Sequence, residues 1–179
     1  MATVRRTKPT ARPGAAAAAA GRQRRYWLFK SEPESYGFDR FERDRRTFWS
    51  GVRNYQARNL LRDQIQPGDG VLFYHSNSDP MAIVGIAKVV KAGYPDPTAF
   101  EPKNDYYDPD SDPSDPTWFV VDIECIGRMR EPVTRDRCKQ EAALADMLLL
   151  ARGSRLSVQP VTPSEWNTIL RLGGQQETW

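Results

Sequence analysis

Two short stretches set aromatic rings beside hydrogen-bonding groups: "YWLFKSEP" at 26–33 and "FWSGVRN" at 48–54. In the second, Trp49 offers a stacking face, Ser50 a hydroxyl and Arg53 a planar fork of donors. Gly51 carries no side chain to hold a ligand off the backbone, and Asn54 stands where a helix would open with unpaired amide N–H groups. A nucleobase needs such a set, a π face with donors and acceptors along its edge. Spacing alone favours the simpler set: a core Trp49, a cap at Asn54 and a surface ion pair for Arg53.

The first stretch is similarly two-sided. Strand alternation puts Trp27, Phe29 and Ser31 on one face and Tyr26, Leu28 and Lys30 on the other. A strand ending in Lys-Ser-Glu-Pro presents polar groups at a barrel rim, or is a core strand with a solvated end. His75 in "FYHS" is the single histidine, and with Lys30 and Glu32 it offers a minimal acid–base set; a structural histidine is the simpler reading. With no second histidine and no cysteine pair, no metal site is expected. Asp108, Asp110 and Asp112 suggest a calcium loop, but Pro113 stands where glycine is required and Phe119 where the bidentate glutamate belongs. Phosphate-cradling glycine loops, GxSxG and HExxH are all missing.

The elements that must position these residues are legible as patterns. Residues 26–31 form a short strand closed by Glu32 and Pro33, and 38–44 one or two helical turns. Asn54 caps a helix on which Ala57, Leu60, Leu61 and Ile65 recur until Pro67 and Gly68 stop it. Gly70–Ser76 is a strand, and Met81–Lys91 another, apolar on both faces and therefore central. Six prolines between 93 and 117 make that segment a long loop, the kind that often carries function. Alternation over 117–128 predicts a half-buried antiparallel strand, 142–152 a helix with Leu144, Met147, Leu148 and Ala151 inward, and 156–161 a strand. "TPSE" then opens a last helix, with Thr162 as N-cap, Pro163 at the first position and Glu165 closing a capping box, running to Gly173. The sum is an α+β fold, a mixed β-barrel or curled sheet with peripheral helices.

The chain has 179 residues, the length of a single domain with a sizeable core. Its net charge of +3 hides an asymmetry. Residues 1–25 hold seven basic residues and no acid, leaving 19 basic against 23 acidic residues in the rest. A broad nucleic-acid-binding face on the domain is not indicated; the arm, through Arg5, Arg6, Lys8, Arg22, Arg24 and Arg25, is expected to touch nucleic-acid backbone. Its prolines and six-alanine run read as a disordered tail whose removal leaves folding intact; an acid-free, Arg-rich start also fits a transit peptide. Residues 174–179 form a short C-terminal tail. No apolar stretch suits a membrane, and two unpaired cysteines, Cys125 and Cys138, fit a reducing cytoplasm.

Six blocks in this order, "YWLFKSEP", "FWSGVRNYQARNLLR", "PGDGVLFYHS", "VGIAKVVKAGYPDPTAF", "YYDPDSDPSDPTWFVVDI" and "RLSVQPV", resemble the EVE domain over residues 26–173. The resemblance implies a PUA-like barrel related to the YTH domains. It also implies a non-catalytic reader of modified bases in DNA or RNA, modified cytosine in DNA foremost, with a flipped base in a pocket. Carried onto the matching blocks, the implied base-binding residues are Trp27, Lys30, Ser31, Trp49, Arg53, Asn54, Tyr74, His75, Ser76, Ser157 and Gln159. No cofactor is implied. The chain is expected to be a monomer that works with a separate effector protein, if any. The alternatives are an enzyme acting on RNA or modified nucleotides through Lys30, Glu32 and His75, and a protein-interaction module with a vestigial pocket.

Overall fold

A computed structural model describes residues 22–177 and residue 179. Its centre is a six-stranded mixed sheet in the order β2-β5-β4-β3-β1-β6. The strands are β1 (Tyr26–Ser31), β2 (Arg46–Phe48), β3 (Gly70–His75), β4 (Ala82–Pro95), β5 (Phe119–Thr134) and β6 (Val158–Val161). β1 and β3 run parallel, and every other neighbouring pair is antiparallel. β4 and β5 are long, and repeated register shifts between them act as bulges that bend and twist the sheet.

Parallel neighbours require a crossover. Here it comprises α1 (Pro33–Tyr36), α2 (Phe38–Asp44), β2 and α3 (Tyr55–Asp63). It covers one face of the sheet, where Phe38 and Phe41 of α2 and Ala57 and Leu61 of α3 bury Trp27, Phe29, Val71 and Phe73. The alternate residues Leu28, Leu72 and Tyr74 face the opposite side, against Trp166, Ile169 and Leu170 of α5 (Pro163–Leu172). Strand alternation thus sorts two cores, and β4, apolar on both faces, lies between β3 and β5 as its pattern predicts.

Local signals for the two longer helices are realised as bonds. The Asn54 side chain accepts from the Ala57 amide at 3.0 Å. Thr162 and Glu165 form a reciprocal capping box, with Pro163 in the first turn. Several stretches depart from the sequence expectation, among them β4, which runs on to Pro95 and is followed by a 3-10 turn at Pro97–Phe100. The loop "RTF" adds an edge strand to β5, and β5 itself continues to Thr134. A short helix, α4 (Arg135–Gln140), follows it. Residues 142–152 form two 3-10 turns, Ala142–Leu144 and Leu148–Leu150, instead of one helix. The residues buried there are Leu144, Met147 and Leu149, while Leu148 is half-buried and Ala151 exposed. Steps of three and two do not stay on one side of a 3.6-residue helix, and no side chain caps the segment's start.

Asp69 locks the far end of β1. Fully buried, it accepts five hydrogen bonds: two from the Arg22 guanidinium, and one each from the amides of Arg25 and Gln66 and the Trp27 indole. Residues 22–25 are therefore docked on the domain, with Arg24 also paired to Glu177. Arg5, Arg6 and Lys8 lie outside the described residues. Removing a carboxylate that pairs a buried donor set leaves those donors unmatched. Asp69→Ala should lower unfolding free energy by about 3 kcal/mol in urea titration. A chain starting at residue 26 should lose about 1–3 kcal/mol, because the Arg22 and Arg25 donors go with the arm. An unchanged midpoint in both would show that Asp69 is not a structural lock.

Candidate functional site

Because β1 and β3 are parallel, both finish at one end of the sheet, with Ser31 paired to His75. Backbone bonds continue the ladders past the strands. The Ser76 amide donates to Ser31 O, and the Lys30 amide to Ser157 O, each at 2.9 Å. Three serines, Ser31, Ser76 and Ser157, are thereby gathered round one opening. The crossover passes over the same end, contributing Ser35 and Tyr36 from α1, Thr47 and Phe48 from β2 and residues 49–52 after it. With Glu32, Tyr106 and Arg155 they enclose a cavity of about 580 Å³. That is the size of an ordinary small-ligand site, roughly 300–1,000 Å³.

The rings differ in how much they offer a ligand. Trp49 is only 7% exposed, packed on Phe29 and Phe73 at centroid distances of 5.1 and 5.4 Å. It is a wall that belongs largely to the core. Phe48 and Tyr106 are each 41% exposed and present freer faces. Tyr106 is seated by Gly51, whose φ is +78° and where an added Cβ would meet the Tyr106 ring at 2.6 Å. The glycine gap is therefore filled by a tyrosine of the long loop.

Arg53 fixes that tyrosine from behind. Its guanidinium donates to Asp96 at 2.9 Å, to Val52 O and to Tyr106 O, and lies over the Trp118 and Tyr106 rings. Asp96 is fully buried, so the pair is a structural tie between α3's entry and the long loop. The polar edge is less committed. The Ser31 hydroxyl donates to Tyr36 O at 2.7 Å, tying β1 to α1. Among the described residues, the hydroxyls of Ser35, Ser50, Ser76 and Ser157 have no side-chain hydrogen bond. Tyr36 is held neutral: burial, together with its bond to Asp44, pushes its phenol up to about 12.

Of the residues singled out in the sequence, Lys30, Ser31, Trp49, Ser76 and Ser157 come together on this cavity. Six others stand elsewhere. Trp27 lies four residues back along β1, about 13 Å away at strand spacing, with its indole on Asp69. Arg53 is bound to Asp96, and Asn54 is an exposed helix cap. Tyr74 points into the opposite core. His75 Nε2 accepts from the Phe38 amide at 3.1 Å and so holds the start of α2. Gln159 is buried and donates to Ser154 Oγ and Leu156 O, bracing the loop that carries Arg155 and Ser157. Sequence reasoning missed Tyr36, Phe48, Tyr106 and Arg155. For Tyr106 the signal was present, since the long proline-rich loop already stood out as a functional candidate. Arg155 has no local signature.

Comparison with known proteins agrees over nearly all of the domain. The EVE domain family pattern matches residues 25–172. Mouse thymocyte nuclear protein 1 is 41% identical over 166 residues, spanning 82% of this chain and 73% of its own. A Pseudomonas syringae protein of known structure superposes with a TM-score of 0.79 at 41% identity, covering 83% of this chain and 99% of that one. Human THYN1, solved in complex with DNA containing 5-methylcytosine, superposes with a TM-score of 0.77 at 36% identity, over 86% of this chain and 99% of that one. A YTH domain from Zygosaccharomyces rouxii, at 17% identity and a TM-score of 0.52 over 87% of this chain and 90% of that one, shares the fold.

His75 gives the site's frame a pH signature. Burial lowers its pKa from the ordinary 6.5, with Asp39 opposing the shift and Arg128 adding to it. Below that value the unfolded chain takes up a proton that the folded one resists, so stability contributed by neutral His75 is lost as pH falls. Wild type should lose stability relative to His75→Gln between about pH 7.5 and about pH 5.5, the window spanning the ordinary histidine value. Parallel denaturation curves at both pH values would contradict this.

Proposed function

The chain belongs to the EVE domain family, and from that premise we propose that its cavity takes a modified nucleobase, with methylated cytosine in DNA as the first candidate. The observation that carries the reading is the cavity's make-up. Rings from the crossover and the long loop face serine hydroxyls that have no protein partner, at the end of a fold shared with a relative solved on 5-methylcytosine DNA. Extruding a base costs a few kcal/mol, and stacking returns about 1–3 kcal/mol per base. Edge hydrogen bonds supply the remainder, and Ser157, Ser76 and Ser50 are placed to make them. A single methyl group in an apolar pocket contributes only about 1–3 kcal/mol of selectivity.

The activity we propose is binding without turnover. Two of the three groups of the acid–base alternative are engaged in holding the fold: His75 by the Phe38 amide and Glu32 by Asn77. A partner carrying the modified base, in DNA or RNA, and a separate effector for any downstream step complete this reading.

The test is calorimetric titration of 5-methyl-2′-deoxycytidine and of an oligonucleotide containing it. Tyr106→Ala, at an exposed ring, should weaken binding by about 1–3 kcal/mol, the worth of one stacked base. Asn54→Ala should bind as wild type while losing about 1 kcal/mol of stability through its cap. Tyr106→Ala and Phe48→Ala both binding as wild type would reject the cavity as the base site.

A further inference from the structure

Two cations line the mouth of the cavity, and a third stands near enough to one of them for its charge to be felt. Lys30 is the penultimate residue of β1, Arg135 is the first of α4, and Arg155 lies in the loop before β6. The sheet register brings Lys30 and Arg135 to the same end of the sheet. Val133 pairs with Ile83, Ile83 with Tyr74 and Tyr74 with Lys30, so the end of β5 and the end of β1 lie in one row. Tyr74, Ile83 and Val133 of that row all face the second core, and Arg135 follows where the chain leaves β5, its amide on Met81 O at 2.9 Å. The Lys30 ammonium reaches round to Ser154 O at 3.5 Å, the residue before Arg155. Lys30 and Arg155 line the cavity itself.

Among the described residues, none of the three has a carboxylate within ion-pair distance, although acids outnumber bases in residues 26–179. Nearby acids are engaged elsewhere: Asp136 with Lys139, and Glu32 with Asn77. Like charges held together without a counter-ion raise the energy of the ligand-free protein, and an arriving anion relieves it.

We propose that Lys30, Arg135 and Arg155 form a phosphodiester subsite, taking the backbone phosphate beside the nucleotide whose base the cavity holds. The proposal rests on the base-binding reading for what enters the cavity, and on the cation cluster for the phosphate. Burial, and after it the charge of Arg135, lowers the Lys30 pKa, as expected of a cation lacking an anion partner. This subsite confines phosphate recognition to a small patch, so a mildly acidic domain needs no broad basic face to hold a nucleic acid.

The experiment compares wild type with Arg135→Gln and Arg155→Gln, both at side chains with solvent access, and with Arg62→Gln as the same charge loss on α3. Binding of a single-stranded oligonucleotide carrying one 5-methylcytosine is followed by fluorescence anisotropy across a salt series, and binding of the free nucleoside by calorimetry. Arg135→Gln and Arg155→Gln should each weaken oligonucleotide binding several-fold and reduce the slope of log K against log salt by about 0.7, one phosphate contact on a single strand. Nucleoside affinity of Arg135→Gln, whose side chain is not part of the cavity lining, should stay at the wild-type value, and Arg62→Gln should keep the wild-type slope. Unchanged slopes in both cluster variants, or an equal loss for nucleoside and oligonucleotide in Arg135→Gln, overturn the subsite. If wild type binds no nucleoside, the base reading fails, and the same slopes on an unmodified oligonucleotide judge the subsite alone: reduced slopes uphold it, while unchanged slopes or no binding overturn it.

Discussion

Everything at the cavity depends on the parallel pairing of β1 with β3. Two parallel strands end on the same side, so Ser31 and Ser76 arrive together, and antiparallel β6 adds Ser157 beside them. The pairing also obliges the chain to cross over between the strands, and that crossover supplies Phe48, Trp49 and the residues that follow. Sheets with parallel strands hold ligands at the carboxyl ends of those strands for this reason. A strictly antiparallel hairpin of β1 and β3 would have sent the two serine-bearing ends in opposite directions.

A buried carboxylate stabilises each side of this arrangement. Asp69 gathers the docked arm, the Trp27 indole and the turn before β3 at the end away from the cavity. Asp96 holds Arg53, and through it the loop that carries Tyr106, at the cavity end. Both are fully buried and fully engaged, so their role is to fix geometry. Among the described residues, the hydroxyls of Ser35, Ser50, Ser76 and Ser157 have no side-chain bond and Lys30, Arg135 and Arg155 have no carboxylate partner, which is where a ligand has most to gain.

Much of the fold was legible in the sequence because its signals are local. Alternation in "YWLFKS" sorts Trp27 and Phe29 from Leu28, and the caps at Asn54 and Thr162 form as their residue types dictate. The 142–152 segment misled because its leucines and Met147 suit a helix by propensity, while burial follows the shape of the sheet beneath. The candidate site was legible only in part, for a physical reason. Local pattern shows that Arg53 and Trp27 can hydrogen-bond, but their partners, Asp96 and Asp69, lie 43 and 42 residues away. Tyr106 and Arg155 reach the cavity through still longer chain returns, which periodicity cannot report.

The central claim, that the cavity at the ends of β1 and β3 takes a modified base, is tested most directly by NMR. The chain has five tryptophans, whose indole N–H signals sample separate parts of the fold. On titration with 5-methyl-2′-deoxycytidine, the Trp49 indole and the Ser31, Ser76 and Ser157 amides should shift together, while the Trp27 and Trp166 indoles stay in place. Shifts centred on Trp27 or Trp166 with Trp49 unmoved would contradict the account and place the ligand elsewhere on the molecule.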